Sequence, residues 1–477
     1  MLHARRTWYS IATLLGLALA AATWLAATPA YAQRRVPPPS REATQFSFAP
    51  IVKQATPTVV NVFVRTRVQA FASPFANDPI FRRFFGDRAG IPETRQQNSL
   101  GSGVIVSGDG VIVTNTHVIK GGGTPEIRVV LADKREYDAK VLLQDEKTDI
   151  AVLRVEGLDG QLPFLEFADS DTAEVGDMVL AIGNPFGVGQ TVTSGIVSAI
   201  SRSEIGQSEA AVFIQTDAAI NPGNSGGALV DMGARLIGIN TAIYSQSGGS
   251  HGIGFAIPSN LVRLYVDSAL AGRKVERPWL GAKLDPVTRD IADSLGLTRV
   301  TGAVVSRVTP GSPADDAGLK ARDVIVSVDG FEAADPRSVT YRLTTRGVGN
   351  RARLEVVRGG RSLALDIALK TSPQPGRGDV RNLSGNHPLD GARMATILPS
   401  VAEDLGIDDE AGAVVLSVRQ NSIASGLGFR PGDVILAVGE VPITTVADLE
   451  KAVATRQKLW TIAVKRADKV MQLQVPG

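Results

Sequence analysis

The stretch Gly103-Val-Ile-Val-Ser107 is followed by Gly108-Asp-Gly110 and then by Val111-Ile-Val-Thr114. Two short runs of β-branched residues around a Gly-Asp-Gly turn predict a strand, a turn and a second strand. Similar runs recur as far as residue 240, bounded by Gly, Asn and Asp and without helical periods between them. Many short strands at such spacing are typical of an all-β barrel or sandwich. The recurring runs cover residues 127–131, 150–155, 179–182, 194–200, 212–216, 227–230 and 236–240.

The C-terminal part of the chain contains an internal repeat. Residues 259–270, which precede it, have apolar residues near helical spacing and predict a helix that closes the β-rich part. Beyond it, Gly302-Ala-Val-Val305 matches Gly412-Ala-Val-Val415, and further identities persist at the same offset of 110 residues. A repeat without gaps indicates two copies of one domain of about 90 residues. Residues 372–386, rich in Pro, Gly, Ser and Asn, are predicted to be the linker between the copies.

The composition is that of a folded protein. The 477 residues suffice for about three domains, and 44% hydrophobic residues with 21% charged residues allow several cores. The 50 basic residues nearly balance the 48 acidic ones, so nothing indicates a nucleic-acid partner. The chain has no cysteine, which excludes disulfides, a thiol nucleophile and cysteine-bound zinc. The four histidines are widely separated, so we expect no metal and no cofactor.

The N-terminus has the features of an export signal. A basic region at residues 3–6 precedes an apolar stretch at residues 11–25, and Ala30-Tyr-Ala32 fits a cleavage site. We therefore expect residues 1–32 to be a signal peptide that is removed on export. The alternative is an uncleaved anchor, because the largely apolar residues 8–28 are nearly long enough to span a bilayer. No second stretch of that length follows, so no stable membrane anchor is expected elsewhere.

A serine in a glycine-rich turn is the strongest local sign of chemistry. In Gly223-Asn-Ser-Gly-Gly227, the glycines permit a tight turn that exposes the hydroxyl of Ser225. Such a turn also aims backbone N–H groups at a developing oxyanion, and we expect Gly223 and Ser225 to supply them. The motif alone would equally fit an ordinary turn between strands.

Two other residues complete the pattern of a serine peptidase. His117 directly follows one predicted strand, and Asp149 stands at the entry to another. A carboxylate so placed can accept a hydrogen bond from Nδ1–H of an imidazole and fix its tautomer. The chain order His, Asp, Ser is that of the chymotrypsin-type fold with two barrels. We therefore predict that Ser225 is the nucleophile, His117 the general base and Asp149 the group that orients the base.

These residues belong to a wider set of motifs, which are Thr114-Asn-Thr-His-Val118, Thr148-Asp-Ile-Ala-Val-Leu153, Gly183-Asn-Pro-Phe-Gly187, Gln190-Thr-Val-Thr-Ser-Gly195, Ile214-Gln-Thr-Asp-Ala-Ala-Ile-Asn221 with Gly223-Asn-Ser-Gly-Gly227, and Gly252-Ile-Gly-Phe-Ala-Ile-Pro258. Together they resemble the HtrA (Deg/Do) family of serine proteases, from about residue 44 to the C-terminus. The resemblance implies a mainly β protein with a trypsin-like double β-barrel followed by two PDZ domains. Two PDZ copies resemble the periplasmic Do-type members rather than the anchored signalling type. The implied divisions are 1–32 signal peptide, 33–44 flexible segment, 45–272 protease domain, 277–371 first PDZ domain, 372–386 linker and 387–477 second PDZ domain.

A PDZ domain captures an extended C-terminal segment by strand addition and holds its carboxylate with backbone N–H groups of a glycine-containing loop. In the first copy, Leu280, Gly281 and Ala282 are the expected donors. The equivalent positions of the second copy are 390–392, where Asp390 would repel a carboxylate. We therefore expect ligand capture by the first copy, whereas a structural or assembly role for the second is at least as well supported.

The substrate pocket and a regulatory residue are also indicated. Trypsin-type enzymes that select Lys or Arg have an Asp six residues before the nucleophile, where this chain has Ala219. Ala219 and the adjacent Ile220 therefore predict an apolar pocket for small aliphatic side chains. Asp217 lies two residues too early and is interpreted as a turn-capping residue. Arg202 resembles the regulatory-loop arginine of the family, which couples PDZ or ligand occupancy to order at the oxyanion hole.

The predicted function is ATP-independent endopeptidase cleavage of unfolded or misfolded exported proteins in the periplasm, with some chaperone activity. No Walker-type phosphate-binding motif is present. The family also implies a homotrimer that can form larger oligomers. One alternative is a chaperone or binding scaffold with a latent protease. Another is a membrane-anchored regulatory protease, if the leader is retained.

Overall fold

The computed structural model describes residues 47–69, 94–120, 126–184, 189–202, 212–221, 223–243, 252–376, 378–407, 409, 411–467 and 469–477. The predicted leader and the flexible segment after it lie outside these ranges. Among the described residues, no helix has both the length and the apolar character needed to cross a membrane.

The N-terminal barrel is built from the strand–turn–strand unit that the sequence predicted. Its order is β1-β2-β3-β6-β5-β4, and pairing of β4 with β1 closes it. Strand β3 is buried along its whole length, whereas β4 alternates between exposed and buried residues, so its apolar side chains point into the barrel. The core includes Val62, Ile105, Ile112 and Leu153. The strands are β1 (Val59–Gln69), β2 (Thr94–Ser107), β3 (Val111–Thr114), β4 (Glu126–Val130), β5 (Glu136–Asp145) and β6 (Ile150–Val155).

A second barrel follows in the order β10-β11-β12-β9-β8-β7. Together the two closed barrels confirm the predicted mainly β, double-barrel fold. The predicted closing helix is present at Ser259–Leu270, and its buried side chains include Leu261, Val262 and Tyr265. The strands of the second barrel are β7 (Met178–Gly183), β8 (Thr191–Arg202), β9 (Phe213–Thr216), β10 (Ala228–Val230), β11 (Leu236–Ile243) and β12 (Gly254–Pro258). The helices of the two-barrel region are α1 (Ala49–Ala55), α2 (Thr116–Ile119) and α3 (Ser259–Leu270), with 3-10 turns at Thr56–Thr58 and Ser170–Thr172.

The first repeat forms an antiparallel sheet in the order β13-β14-β15-β17-β18, with β16 paired to β15. Strand β13 lies at the edge of this sheet. Helix α6 begins with a capping box in which Asp335 and Ser338 satisfy each other's backbone N–H groups. The elements are β13 (Ala282–Pro286), α4 (Arg289–Leu295), β14 (Ala303–Val308), α5 (Pro313–Asp316), β15 (Val324–Val328), β16 (Phe331–Glu332), α6 (Pro336–Arg346), β17 (Arg351–Arg358) and β18 (Arg361–Ala368).

The second repeat has the same sheet with one strand more at its edge, in the order β19-β20-β21-β22-β24-β25. The additional strand β19 comes from residues 380–382, which the sequence placed in the linker. Its pairing with β20 explains why a segment of such composition is ordered as a strand. The elements are β19 (Val380–Asn382), β20 (Ala392–Thr396), α7 (Pro399–Leu405), β21 (Ala413–Val418), α8 (Ile423–Gly426), β22 (Val434–Val438), β23 (Val441–Pro442), α9 (Val446–Ala454), β24 (Leu459–Arg466) and β25 (Lys469–Pro476).

Polar contacts join helix α6 of the first repeat to the second barrel. Asp171 of the 3-10 turn accepts a hydrogen bond from the hydroxyl of Tyr341 (3.2 Å) and lies 2.5 Å from Nη1 of Arg342. That nitrogen is close enough for an ion pair but not aligned for a hydrogen bond. Burial, together with the charge of Asp171, raises the pKa of Tyr341. The cluster is therefore a largely buried polar contact between two domains.

Candidate active site

His117 and Asp149 meet at one end of the N-terminal barrel. His117 lies in the short helix α2 after β3, and Asp149 immediately precedes β6. Nδ1 of His117 is 2.8 Å from Oδ2 of Asp149, and the backbone N–H of His117 donates to Oδ1 at 2.9 Å. Asp149 has a φ of +58°, a conformation that an aspartate tolerates better than most residues. Both carboxylate oxygens are thus directed at the same histidine.

The loop before His117 holds the backbone of Asp149 as well. The side-chain amide of Asn115 donates to the Asp149 carbonyl at 3.0 Å, and the N–H of Thr116 donates to it at 3.2 Å. The hydroxyl of Thr116 lies 2.8 Å from the carbonyl of Ile150. These bonds cross between the end of β3 and the start of β6, which are neighbours in the barrel. The motif Thr114-Asn-Thr-His117 therefore orients the carboxylate by way of its backbone.

Thr241 is a third partner of the carboxylate, and the sequence did not indicate it. Its hydroxyl donates to Oδ2 of Asp149 at 2.7 Å from strand β11 of the second barrel. The only signal in the sequence is a polar residue directly after the predicted strand 236–240, and such residues are too common to be informative. Burial would raise the pKa of Asp149, but the hydrogen bonds and charge of His117, together with the Thr241 hydroxyl, lower it overall. The carboxylate is therefore ionised at neutral pH.

Ser225 lies in the same hydrogen-bond network. Its hydroxyl donates to the carbonyl of Thr241 at 3.1 Å, so that Thr241 contacts both the serine and the aspartate. Within the part of the chain that the structure describes, no hydrogen bond joins Ser225 directly to His117. The structure thus brings His117, Asp149 and Ser225 together at the junction of the two barrels, with Thr241 between the serine and the carboxylate.

The turn that carries Ser225 requires glycine. Gly223 and Gly226 have φ values of +101° and +81°. A Cβ at Gly226 would lie 2.1 Å from the carbonyl oxygen of Ser102, closer than any real contact. Ser102, on β2 of the other barrel, also donates its N–H to the Ser225 carbonyl at 2.9 Å. Its hydroxyl donates to the Gly223 carbonyl at 2.6 Å and accepts the N–H of Asn184 at 2.8 Å. One serine of the first barrel therefore fixes the turn.

The residues predicted to form the substrate pocket precede this turn. The carbonyl of Ala219 accepts the hydroxyl of Thr193 at 2.8 Å, and the side chain is half-buried. Ile220 is buried in the core of the second barrel, where a Cβ at Gly254 would lie 2.7 Å from its Cδ1. A carboxylate oxygen of Asp217 accepts the N–H of Ile196 on strand β8 at 2.7 Å. Asp217 therefore binds a neighbouring strand, and this bond does not support its interpretation as a turn-capping residue.

Arg202 is the last residue of β8, and its side chain lies outside the described residues, as do His251 and residues 203–211. The structure therefore gives no contacts for the predicted regulatory arginine.

The predicted carboxylate-binding loop of the first PDZ copy has a defined backbone. Gly281 has a φ of +73°, and a Cβ there would lie 2.1 Å from Cβ of Ser312. The carbonyl of Gly281 accepts the N–H of Thr309 at 2.8 Å, and that of Leu280 accepts the N–H of Ala314 at 3.0 Å. The N–H groups of Leu280 and Gly281 donate to no group of the described chain. They are therefore available at the edge of β13.

Comparison with known proteins gives the class first. The family described as trypsin-like peptidase domain matches residues 101–239, and the PDZ domain family matches residues 278–369 and 392–476. With its two barrels and a serine, histidine and aspartate in one network, the chain is a serine endopeptidase that carries two PDZ domains.

Relatives along most of the chain define the family. A probable periplasmic serine endoprotease, DegP-like, of Chlamydia trachomatis is 38% identical over 427 residues, covering 85% of this chain and 83% of the relative. A protein of the same description from Brucella suis is 38% identical over 468 residues, covering 92% and 88%. The structure of the HtrA-type protease AlgW with a decapeptide is 44% identical, with a TM-score of 0.51, and covers 69% of this chain and 100% of AlgW. The chain therefore belongs to the HtrA family of serine endoproteases, as its motifs predicted.

Proposed function

We propose that Ser225, His117 and Asp149 are the catalytic residues of this endopeptidase. The observation that carries the proposal is the continuous set of hydrogen bonds from His117 through Asp149 and Thr241 to Ser225. Because the ionised carboxylate accepts from Nδ1–H of His117, Nε2 is left unprotonated and can act as a base. The reaction begins when the Ser225 hydroxyl rotates from the Thr241 carbonyl towards that nitrogen.

The proton then moves as in other serine peptidases. Oγ of Ser225 attacks the peptide carbonyl carbon while Nε2 of His117 takes the hydroxyl proton, and the carboxylate of Asp149 stabilises the imidazolium. The imidazolium returns the proton to the leaving amine, which leaves an acyl-enzyme that water hydrolyses by the same steps. We place the oxyanion at the N–H groups of Gly223 and Ser225, in a turn whose carbonyls are fixed by Ser102.

Replacement of the nucleophile tests this assignment. Ser225→Ala should lower kcat on a casein substrate by at least about 10⁴-fold, because the remaining groups of a triad have little effect without it. Asp149→Asn should cause a loss of about 10⁴-fold, since an amide can hold the histidine in the wrong tautomer. Both variants should keep the melting temperature of the parent within a few degrees. A folded Ser225→Ala protein that still cuts casein would refute the assignment.

We further propose that the substrates are unfolded or misfolded exported proteins. Ala219 stands at the position where Lys- or Arg-selective enzymes of this type have an aspartate, which favours small aliphatic side chains at the cleavage site. The free N–H groups of Leu280 and Gly281 beside an exposed sheet edge suit a C-terminal carboxylate. AlgW, the HtrA-type protease whose structure this chain resembles, was solved with a decapeptide, which supports peptide capture in this family.

The location and assembly of the protein complete the proposal. We assign it to the periplasm, because relatives of matching length are named periplasmic and residues 1–32 have the pattern of a cleaved signal peptide. We also infer a homotrimer able to form larger oligomers and a role of Arg202 in activation, both from the family resemblance. N-terminal sequencing of the exported protein tests the removal of the signal peptide. Mass-resolved size measurement, with and without unfolded substrate, tests the oligomeric state. If Arg202→Ala left peptide-stimulated cleavage unchanged, its assigned role would be wrong.

A chaperone activity would reside in the same chain. The Ser225→Ala protein separates the two roles, because it should bind non-native chains without cutting them. Retained suppression of aggregation in that variant supports a chaperone activity, and its loss assigns the quality-control role to cleavage alone.

A further inference from the structure

The two PDZ copies differ at the strand edge where a peptide would bind. In the first copy, no described strand pairs with the outer edge of β13. In the second copy, the equivalent strand β20 is paired along that edge with β19, in antiparallel register. The bonds extend beyond the strand, since the N–H of Thr396 donates to the carbonyl of Asp379 at 2.8 Å and the N–H of Leu383 donates to that of Ala392 at 2.9 Å. Residues 379–383 therefore cover the whole edge.

The loops next to these edges are otherwise equivalent. Gly391 has a φ of +83°, its Cβ position is blocked by Ser422, and its carbonyl accepts the N–H of Arg419 at 2.9 Å. Gly281 of the first copy has the same three features. The difference lies in the N–H group, because that of Gly391 donates to the carbonyl of Leu383 at 2.9 Å. A donor that is free in the first copy is thus occupied in the second by the chain itself.

The segment also has the direction and the side chain of a ligand. It runs antiparallel to β20 with its C-terminal residue, Leu383, nearest to the glycine loop. Leu383 is 5% exposed and belongs to the same core cluster as Leu449 and Val453 of helix α9. Arg381 forms an ion pair of 3.3 Å with Glu450 on that helix. An apolar last residue between strand and helix is the position that a captured C-terminal segment takes in a PDZ domain.

Burial of the strand beneath agrees with this comparison. Ala282 and Leu284 of β13 are half-exposed, whereas Ala392 and Met394 at the equivalent positions of β20 are buried. Both carboxylate oxygens of Asp390 are hydrogen-bonded within the second copy, to the N–H of Gly385 at 3.1 Å and to Arg419 at 3.2 Å. The groove of the second copy is therefore filled and its loop closed.

We propose that residues 379–383 are a built-in ligand of the second PDZ domain, which we call the linker latch, and that they close this domain to C-terminal peptides. The proposal extends the peptide-binding function inferred for the first domain and rests on it. A tethered segment acts at an effective concentration on the order of 1 mM. If its affinity as a free peptide were micromolar, about one domain in 1,000 would be open, and a peptide would bind about 1,000-fold more weakly than to an open groove.

A cross-strand disulfide tests whether the latch is in place. Asn382 and Arg393 are opposite one another, both are exposed, and the bonding pattern makes them a non-hydrogen-bonded pair, with Cα atoms about 4.5 Å apart. The chain has no cysteine, so Asn382→Cys with Arg393→Cys should form one intrachain disulfide under mild oxidation. The control, Arg381→Cys with Arg393→Cys, directs the two thiols to opposite faces and should not. Equal oxidation of the two pairs would overturn the proposal.

Peptide binding tests what the latch does. In the full chain carrying Ser225→Ala, a fluorescent peptide with a free, apolar C-terminus should bind at one site per chain, and its amidated form should not bind. Closing the disulfide between positions 382 and 393 should leave one binding site per chain. Leu383→Asp should open a second site, which should bind the peptide with about 1,000-fold higher affinity than the closed second domain does. Two sites in the disulfide-closed chain, or no second site in a folded Leu383→Asp chain, would overturn the proposal. Absence of binding throughout would contradict the function of the first domain, while the disulfide result would still decide on the latch.

Discussion

Thr241→Val is the most informative change at the active site, because it separates the two contacts of one residue. Valine has the shape of threonine but lacks the hydroxyl that donates to Oδ2 of Asp149 at 2.7 Å. The backbone carbonyl that accepts from Ser225 is retained. The substitution therefore removes one partner of the carboxylate and leaves the contact of Ser225 unchanged.

The size of the effect follows from the environment of the bond. A hydrogen bond to a charged group contributes about 1.5–3 kcal/mol. The side chain of Asp149 is 27% exposed, which favours the lower end of that range. A loss of about 1.4 kcal/mol in the transition state corresponds to about a tenfold fall in kcat/KM. We expect this fall to appear in kcat, because Thr241 orients Asp149 and, through it, His117, and does not position the substrate.

The assay is steady-state cleavage of a short chromogenic peptide, so that unfolding of the substrate does not limit the rate. Thr241→Ser is the matched control, since it keeps the hydroxyl and should retain kcat within about threefold. If Thr241→Val and Thr241→Ser had equal activity, the hydroxyl would have no part in orienting Asp149. A Thr241→Val protein that raised KM alone would equally refute the reasoning.

Three other predictions concern stability. Gly226→Ala should lower the free energy of unfolding in urea by about 3 kcal/mol or more, because the new Cβ would lie 2.1 Å from the Ser102 carbonyl in a left-handed backbone. Asp149 has a lowered pKa in the folded protein, so the stability it contributes is present above its unfolded pKa near 4 and is lost as pH falls through the folded value. Acid unfolding of Asp149→Asn should therefore depend less on pH. Arg342→Met should weaken the contact with Asp171 and increase hydrogen exchange in helix α6, since it leaves a largely buried carboxylate without its cation.

Each of these has a control in the chain. Gly272 has a φ of +63° and nothing within 4 Å of its Cβ position, so Gly272→Ala measures the backbone strain alone, about 1 kcal/mol. If Gly226→Ala lost no more unfolding free energy than Gly272→Ala, the turn would be able to shift and accommodate the added Cβ. Acid denaturation curves of equal slope for the parent and Asp149→Asn would contradict the pKa argument. For the domain contact, Asp171→Asn combined with Arg342→Met should cost less than the sum of the two single changes.

Much of the fold followed from local patterns, whereas the contacts that complete the site did not. The strands around residues 103–114 and the helix at Ser259–Leu270 were predictable because alternation and helical spacing are properties of short segments. Thr241 and Ser102 act on residues 92 and 123 positions away, and nothing near them in the sequence marks that role. Strand β19 was hidden for a different reason. Its flanking Gly and Ser residues are typical of a linker, and only the free edge of β20 gives the segment a partner.

Ser102 makes the geometry of the catalytic turn depend on how the two halves of the protease fit together. It belongs to one barrel, yet its backbone and hydroxyl hold two carbonyls of a loop that belongs to the other. A small shift between the two barrels would thus disorder the backbone that we propose binds the oxyanion, while both hydrophobic cores stayed intact. Activity should therefore depend on the relative position of the two barrels. An agent that separates them should inactivate the enzyme under conditions in which neither barrel unfolds.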